Sequence, residues 1–343
     1  MILGIECTAH TFGIGIVNDG KILCNVRDNY STEKGGIIPM DAAKHHREVS
    51  EEVYRKALEE ARIKEDEIKA IALSNAPGLA PCLNEGLKFA KKKADKLGLK
   101  LIPVNHCVAH LEIGRITGAR DPVLLYASGA NTQIIAYSGG KYRVFGETLD
   151  IGIGNFIDNF ARIIGLGFPG GPKIMELATK GNYIELPYTI KGMDVAFSGM
   201  LTSLKQKYDS IKSDDFLDSS NLKKSKKFEE KDMKKEDLAF SLQETSFAML
   251  VEASERAMAH VGKKELVIGG GVGCNTRLQE MCGIMCKERN AKFFAPSNEF
   301  LQDNGGMIAY LGETMFNSGI WKDINEIDIN PRERTDDVIV VWR

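Results

Sequence analysis

No two of the seven cysteines in this 343-residue chain form a Cys-x-x-Cys pair, and their odd number leaves at least one without a mate. That scatter argues against a disulfide framework and for reduced thiols in a cytosolic protein. Charge of one sign is also missing. Lys and Arg number 45 against 47 Asp and Glu, a formal net charge of −2. No global field draws nucleic acid to the molecule, so an RNA partner would have to meet a local basic patch or a second subunit. Nor does any uncharged apolar run approach the roughly 20 residues that span a bilayer. The amino terminus, MILGIEC, begins as an apolar strand with no basic segment and small-residue cleavage site around it. A soluble, cytoplasmic protein without a membrane partner is expected.

What is present points to an α/β protein of more than one typical domain. Hydrophobic residues make up 43% of the chain, enough for a sizeable core, and 34 glycines gather in short clusters suited to tight turns and close backbone approach. Cys282 and Cys286 sit at helical spacing on an apolar stripe and read as core residues.

The order of patterns repeats. Two short apolar runs, 2–7 and 12–18, lead through Asn18-Asp19-Gly20-Lys21 into ILCNVR, an antiparallel meander with an Asp-Gly hairpin turn. An amphipathic helix over 41–62, a strand KAIALSN, a lysine-rich helix over 84–97 and a strand KLIPVN follow. After Asp121-Pro122 the grammar restarts: PVLLYASG, then TQIIAYSGGKYRVFGETLD with its Gly-Gly-Lys turn, then a glycine-rich helical region over 152–181. Two lobes are expected: 1–119 joined by 303–343, and 120–302. Residues 209–236 are dense in Lys, Asp, Glu and Ser with few apolar anchors, the composition of a mobile loop. A helix over 238–260, a strand ELVI, the run GGGVGCNTRLQEM and a strand AKFFAPS precede the last helix pattern in QDNGGMIAYLGETMF.

The segment VNHCVAHLEIG carries His106 and His110 four residues apart, stacked on one face if helical and able to grip one cation. In the metalloprotease signature a Glu follows the first His as general base; here Cys107 stands there, so proteolysis lacks its base. The plain alternative is two core or surface histidines. A metal would need further ligands, and the layout offers Tyr126 at a strand end and Asp303 at the turn before the last helix. GGGVGCN resembles a dinucleotide fingerprint, but Cys274 takes the place of the third glycine and AKFFAPS ends without a ribose-binding acid. What remains is a bend exposing amides at a helix start, capped by Asn275. SGANT (128–132) and FPGGPK (168–173), with Asp158 for ribose hydroxyls, outline a nucleotide cleft between lobes.

IECTAHTFGIGIV, NAPGLAP, NHCVAHLEIGR, YASGANTQI, LDIGIGN with GFPGGPKI, KGMDVAFSG, LQET, GGGVGCNTRLQEM and DNGGMIAY together resemble the universal tRNA threonylcarbamoyladenosine-forming transferase family. ECTAH and HCVAH look like its archaeal and eukaryotic branch, the catalytic subunit of the KEOPS complex. The resemblance covers essentially the whole chain. It implies an actin-like (ASKHA, ribonuclease H-like) two-lobed fold with a duplicated mixed β-sheet. It implies transfer of threonylcarbamoyl from threonylcarbamoyl-adenylate to N6 of the adenosine beside the anticodon, in tRNAs reading codons that begin with A. By motif match His106, His110, Tyr126 and Asp303 would ligate one divalent metal, Fe(II) or Zn(II). Tyr126, Ala127, Ser128, Gly129, Ala130 and Asn131 would border the adenylate, or ATP or AMP. Asp158 would meet the ribose, Gly171 the sugar or base and Asn275 the adenine. The implied partners are tRNA, a small kinase-like ATPase subunit and a dimerising subunit of KEOPS, and a separate threonylcarbamoyl-adenylate synthase.

The 209–236 stretch is longer than is typical of the family, and three further features depart from its pattern. Asn84-Glu85-Gly86 replaces Arg-Val-Gly, Lys91-Lys92-Lys93 stands where small residues are common, and Met175 takes an often acidic place in the nucleotide site. Two other functions share such a fold. An actin-like ATPase or sugar kinase would use Glu6 after the first strand to manage magnesium, but has no use for the histidine pair. A catalytically idle scaffold would only bind nucleotide and partners.

Overall fold

Asp19 and Gly20 both take positive φ, 51° and 73°, which sets the hairpin twist that the Asp-Gly pair predicts. They join β2 (Thr11–Asn18) to β3 (Lys21–Asn29), and β2 in turn pairs antiparallel with β1 (Ile2–Glu6). The computed structural model describes residues 1–32, 36–218 and 233–343. After α1 (Pro39–Ala61), β4 (Ala70–Ala76) lies parallel to β1. Past α2 (Ala80–Leu97), β5 (Lys100–Asn105) lies parallel to β4. The first sheet thus has the order β3-β2-β1-β4-β5. From β5 the chain turns at once into α3 (His106–Ile113), whose start Asn105 caps by accepting the amides of Cys107 and Val108.

The second half repeats this plan. β6 (Val123–Ala127), β7 (Thr132–Ser138) and β8 (Lys141–Glu147) form another antiparallel meander, with Gly139 and Gly140 at positive φ in its turn. Helices α4 (Ile153–Ile163) and α5 (Gly170–Ala178), the two-residue strands β9 (Ile190–Lys191) and β10 (Asp194–Val195), then α6 (Ser198–Asp218) and α7 (Lys235–Val261) follow. β11 (Glu265–Gly269), α8 (Thr276–Glu288) and β12 (Lys292–Phe294) complete the sheet in the order β12-β11-β6-β7-β8. Short α9 (Asn298–Leu301) and then α10 (Gly305–Asn317) end the regular structure. Reading each sheet from its meander gives the same sequence of directions, and the layout is that of an actin-like fold. One expectation shifts: of the charged stretch 209–236, residues up to Asp218 continue α6 and those from Lys235 belong to α7. The helix is nucleated upstream, where Met200 and Leu204 are buried, and once begun it propagates cheaply. The remaining 219–232 lie outside the described residues.

Alternation along the buried strands sorts side chains between two outer cores and one inner layer. Leu3 and Ile5 of β1 face α1 and α2, whereas Ile2 faces inward; Val123, Leu125 and Ala127 of β6 face α4 and α7, whereas Leu124 and Tyr126 face inward. The inner layer holds α3 and α10 between the two sheets. Glycines let α10 come closer than side chains allow. A Cβ on Gly15 would lie 2.3 Å from the Gly306 amide nitrogen, and one on Gly4 would lie 2.2 Å from that of Ala309. The first turn of α10 is thereby seated on β1 and β2, which fixes the turn just before it, Asp303.

Downstream of α10, Ile324, Ile327 and Ile329 pack on the outer core of the first sheet. Asn330 then donates its amide to the Asn75 carbonyl. The chain next crosses to the second sheet, where Val338, Val340 and Trp342 pack beside Tyr142 and Val144. The two family departures on α2 are accounted for by helix pairing. Glu85 accepts both Arg47 nitrogens of α1 at 2.9 Å, and Lys92 and Lys93 each reach Glu51 at 2.8 Å. Lys93 is buried, with its ammonium 3.9 Å from the Tyr54 ring centre.

Candidate functional site

Three elements from distant parts of the chain deliver side chains to one point. α3 supplies His106 and His110, whose ring centres lie 4.7 Å apart; its 3.6-residue turn puts both on one face, as their spacing predicts. The turn before α10 supplies Asp303, whose Oδ1 is 3.3 Å from the Nε2 of each imidazole. β6 supplies Tyr126, whose hydroxyl is 3.1 Å from His106 Nε2 and whose ring centre is 4.8 Å from that of His110. Among the described residues, His106, His110 and Asp303 are the one group of three or more His, Cys, Asp and Glu whose donor atoms all fall within 4.8 Å of one another.

The electrostatics follow from burial and proximity. Burial works against a charged His106, yet the Glu6 carboxylate, helped by Tyr126 and Asp303, holds its pKa well above the ordinary histidine value. For His110 burial prevails and its pKa is lowered. Burial also opposes an ionised Asp303, but the His106 charge and the bonds from both rings hold it well below the usual carboxylate range. The Tyr126 phenol is pushed up by burial. Two imidazole nitrogens pointing at one carboxylate oxygen need protons or a cation between them, because lone pairs alone would repel. A divalent ion would replace the proton on His106 Nε2 and satisfy His110, Asp303 and Tyr126 together. The donor set is borderline, nitrogen and oxygen, and suits iron or zinc equally. The residues fit a metal.

Other expected site residues lie at the carboxyl ends of β6 and β11, where ligands of open α/β sheets bind. Gly269 pairs with Tyr126, and a Cβ there would sit 3.6 Å from His110 Cβ. Ala127 is buried. The turn after it, Ser128 to Asn131, closes on itself with the Ser128 amide 2.9 Å from the Asn131 carbonyl. Gly129 and Ala130 are exposed. The start of α4 packs beneath them: the Gly154 amide donates to Ser128 O at 3.0 Å and the Asn155 amide to Gly129 O at 2.9 Å. Gly270, at φ 87°, presses on the Ala127 carbonyl. So SGANT, the α4 start and the GGG bend converge.

Asp158, on α4, accepts the Gly170 amide at 2.7 Å at the start of α5, and burial raises its pKa despite that bond. Gly171 follows with open space where its side chain would be, and Met175 is half-buried one turn on. Asn275 caps α8, accepting the Arg277 amide while its own NH2 donates to Gln243 at 2.6 Å, so it donates and accepts at once, within the fold. Sequence reasoning weighed Glu6 only as a magnesium handler and passed over Thr8. Glu6 is buried and its Oε2 lies 2.9 Å from His106 Nδ1. The available signal was a carboxylate closing an otherwise apolar strand.

Comparison with known proteins agrees with this geometry. The family model for tRNA N6-adenosine threonylcarbamoyltransferase matches residues 21–310. A protein of that name from Thermococcus sibiricus is 51% identical over 341 residues, covering 99% of both chains. One from Danio rerio is 47% identical over 348 residues, covering 100% of this chain and 99% of its own. In fold, the chain is similar to component A of (R)-2-hydroxyglutaryl-CoA dehydratase from Acidaminococcus fermentans, with TM-score 0.53 at 13% identity over 90% of this chain and 96% of that one. No helix among the described residues is long and apolar enough to cross a membrane. With near-complete coverage by relatives at about half identity, and with the histidine pair and Asp303 assembled at the strand ends, this chain belongs to the tRNA N6-adenosine threonylcarbamoyltransferase family.

Proposed function

We propose that this chain moves the threonylcarbamoyl group from threonylcarbamoyl-adenylate to N6 of the adenosine beside the anticodon, in tRNAs reading codons that begin with A. The observation that carries the reading is the meeting of His106, His110 and Asp303 beside the turn that follows β6. These three and Tyr126 would hold one Fe(II) or Zn(II). When bound, the ion supplies a Lewis acid for charge developing on the carbonyl or phosphate oxygen. The turn from Ser128 to Asn131, exposed at Gly129 and Ala130, would border the adenylate, Asp158 and Gly171 its ribose, Met175 its flank, and Asn275 the adenine side. A division into 1–119 with 303–343 and 120–302 would put the adenylate between lobes. The KEOPS kinase-like and dimerising subunits would complete the tRNA surface that a net charge of −2 does not provide. A synthase would supply the adenylate.

The kinase or ATPase reading loses support because Glu6, the carboxylate it needs, is committed to His106 and Thr8. Reconstitution with tRNA, partner subunits, the adenylate-forming enzyme and radiolabelled threonine tests the proposal. His106→Ala and Asp303→Ala are expected to lower label transfer roughly 100-fold or more. Magnesium-dependent ATP turnover by the chain alone, indifferent to His106→Ala, would return the kinase reading.

A further inference from the structure

We propose that Glu6 is the positioning residue for His106, holding its ring so that Nε2 presents a lone pair to the point shared with His110 and Asp303. The inference rests on the metal reading of that site.

Glu6 is the last residue of β1 and is fully buried. Oε1 accepts the Thr8 amide at 2.8 Å and the Thr8 hydroxyl at 2.5 Å. Oε2 faces His106 Nδ1 at 2.9 Å. A buried carboxylate requires such donors, and an imidazole has only two nitrogens. A proton held on Nδ1 by Glu6 therefore leaves Nε2 as the nitrogen that accepts. Carboxylates placed in this way behind a ligating histidine fix its tautomer and raise its basicity.

The arrangement is rigid. The Thr8 carbonyl accepts the Leu79 amide at 2.8 Å, and Gly78 packs so close that a Cβ there would lie 2.7 Å from the same oxygen. On the other side, Asn105 caps α3 one residue before His106. Both ends of the Glu6 to His106 bond are thus pinned by backbone. A carboxylate serving only to stabilise the fold would not need to meet the one ring nitrogen that faces away from Asp303 and Tyr126.

The test uses the full chain stripped of metal by chelation, with Zn(II) alone as probe and a competing chelator to report affinity. Glu6→Ala is expected to bind Zn(II) roughly 10- to 100-fold more weakly than wild type. Glu6→Gln, which keeps an acceptor oxygen, is expected to fall between them. In a His106→Ala background the Glu6 changes should alter affinity by less than about 2-fold, because there is no ring left to position. Wild-type affinity in Glu6→Ala, or an equal loss with and without His106, would overturn the proposal. If the Glu6 variants do not fold, Thr8→Val decides, since it removes one donor from the same carboxylate: a weakening of about 3-fold supports the role and unchanged affinity refutes it. A wild-type chain that fails to bind Zn(II) sinks the metal reading itself, a result distinguishable because it appears before any substitution is made.

Discussion

Asp303 contributes a charge that neither imidazole can replace. Asp303→Asn keeps its size and should weaken Zn(II) binding roughly 100-fold, read by chelator competition, whereas Tyr126→Phe, losing a neutral phenol, should cost roughly 10-fold. Equal affinity in Tyr126→Phe would remove Tyr126 from the ligand set. Away from the site, a further histidine makes the fold sensitive to acid. His46 is fully buried on α1 beside the Phe12 ring, and burial, with neighbouring His45 adding repulsion, lowers its pKa to about 4. The folded state then prefers the neutral ring. Its contribution is complete above the unfolded value near 6.5 and is lost as pH falls toward 4, about 3 kcal/mol in all. Urea unfolding across that range should show the loss, and His46→Leu should flatten it. At this scale the sequence was partly readable. His106 and His110 announce themselves by spacing, while the layout offered Tyr126 and Asp303 only as a strand end and a turn, and the family pattern joined them to the pair, because contacts across 20 and 193 positions leave no local trace. Glu6 sits 100 positions from its ring and left as a clue only a carboxylate closing an apolar strand.

Helix α10 shows how an element can be set by residues that have no side chain. Replacing Gly15 with Ala forces a methyl against the backbone of Gly306, and neither can give way. Destabilisation of roughly 3 kcal/mol or more is expected in urea, together with weakened Zn(II) binding as the Asp303 turn shifts. Gly199→Ala in α6 is the contrast: its Cβ would meet open space, and the change should stabilise the protein by up to about 1 kcal/mol. Helices and strands were legible from periodicity and turn chemistry, with α1, α2 and α7 each beginning a few residues before the apolar pattern does. Pro39 and Pro81 explain two of those starts, since proline fits the first turn of a helix. The extension of α6 to Asp218 was not legible, because its polar residues carry no apolar stripe and the helix is inherited from its anchored beginning.

Across the whole molecule, two copies of one layout enclose α3 and α10, and duplication was visible in the order of patterns although the residues differ. The closing segment was not foreseen. Glu333 accepts the Asn105 side chain at 2.9 Å at one end of α3. Arg343 meets buried Glu112 at 2.8 Å toward the other end and stacks over the Tyr137 ring at 4.7 Å. Arg343→Met should destabilise the protein by roughly 2–3 kcal/mol, less than the full loss of a buried pair because Tyr142 and Arg115 still serve Glu112. Thermal melting reads the loss directly.

Glu333 and Arg343 thus make residues 333–343 a buckle over the helix that carries both imidazoles. In deuterated water the amides of α3 should stay dark until the buckle lifts, then exchange as one kinetic class with those of the segment above them.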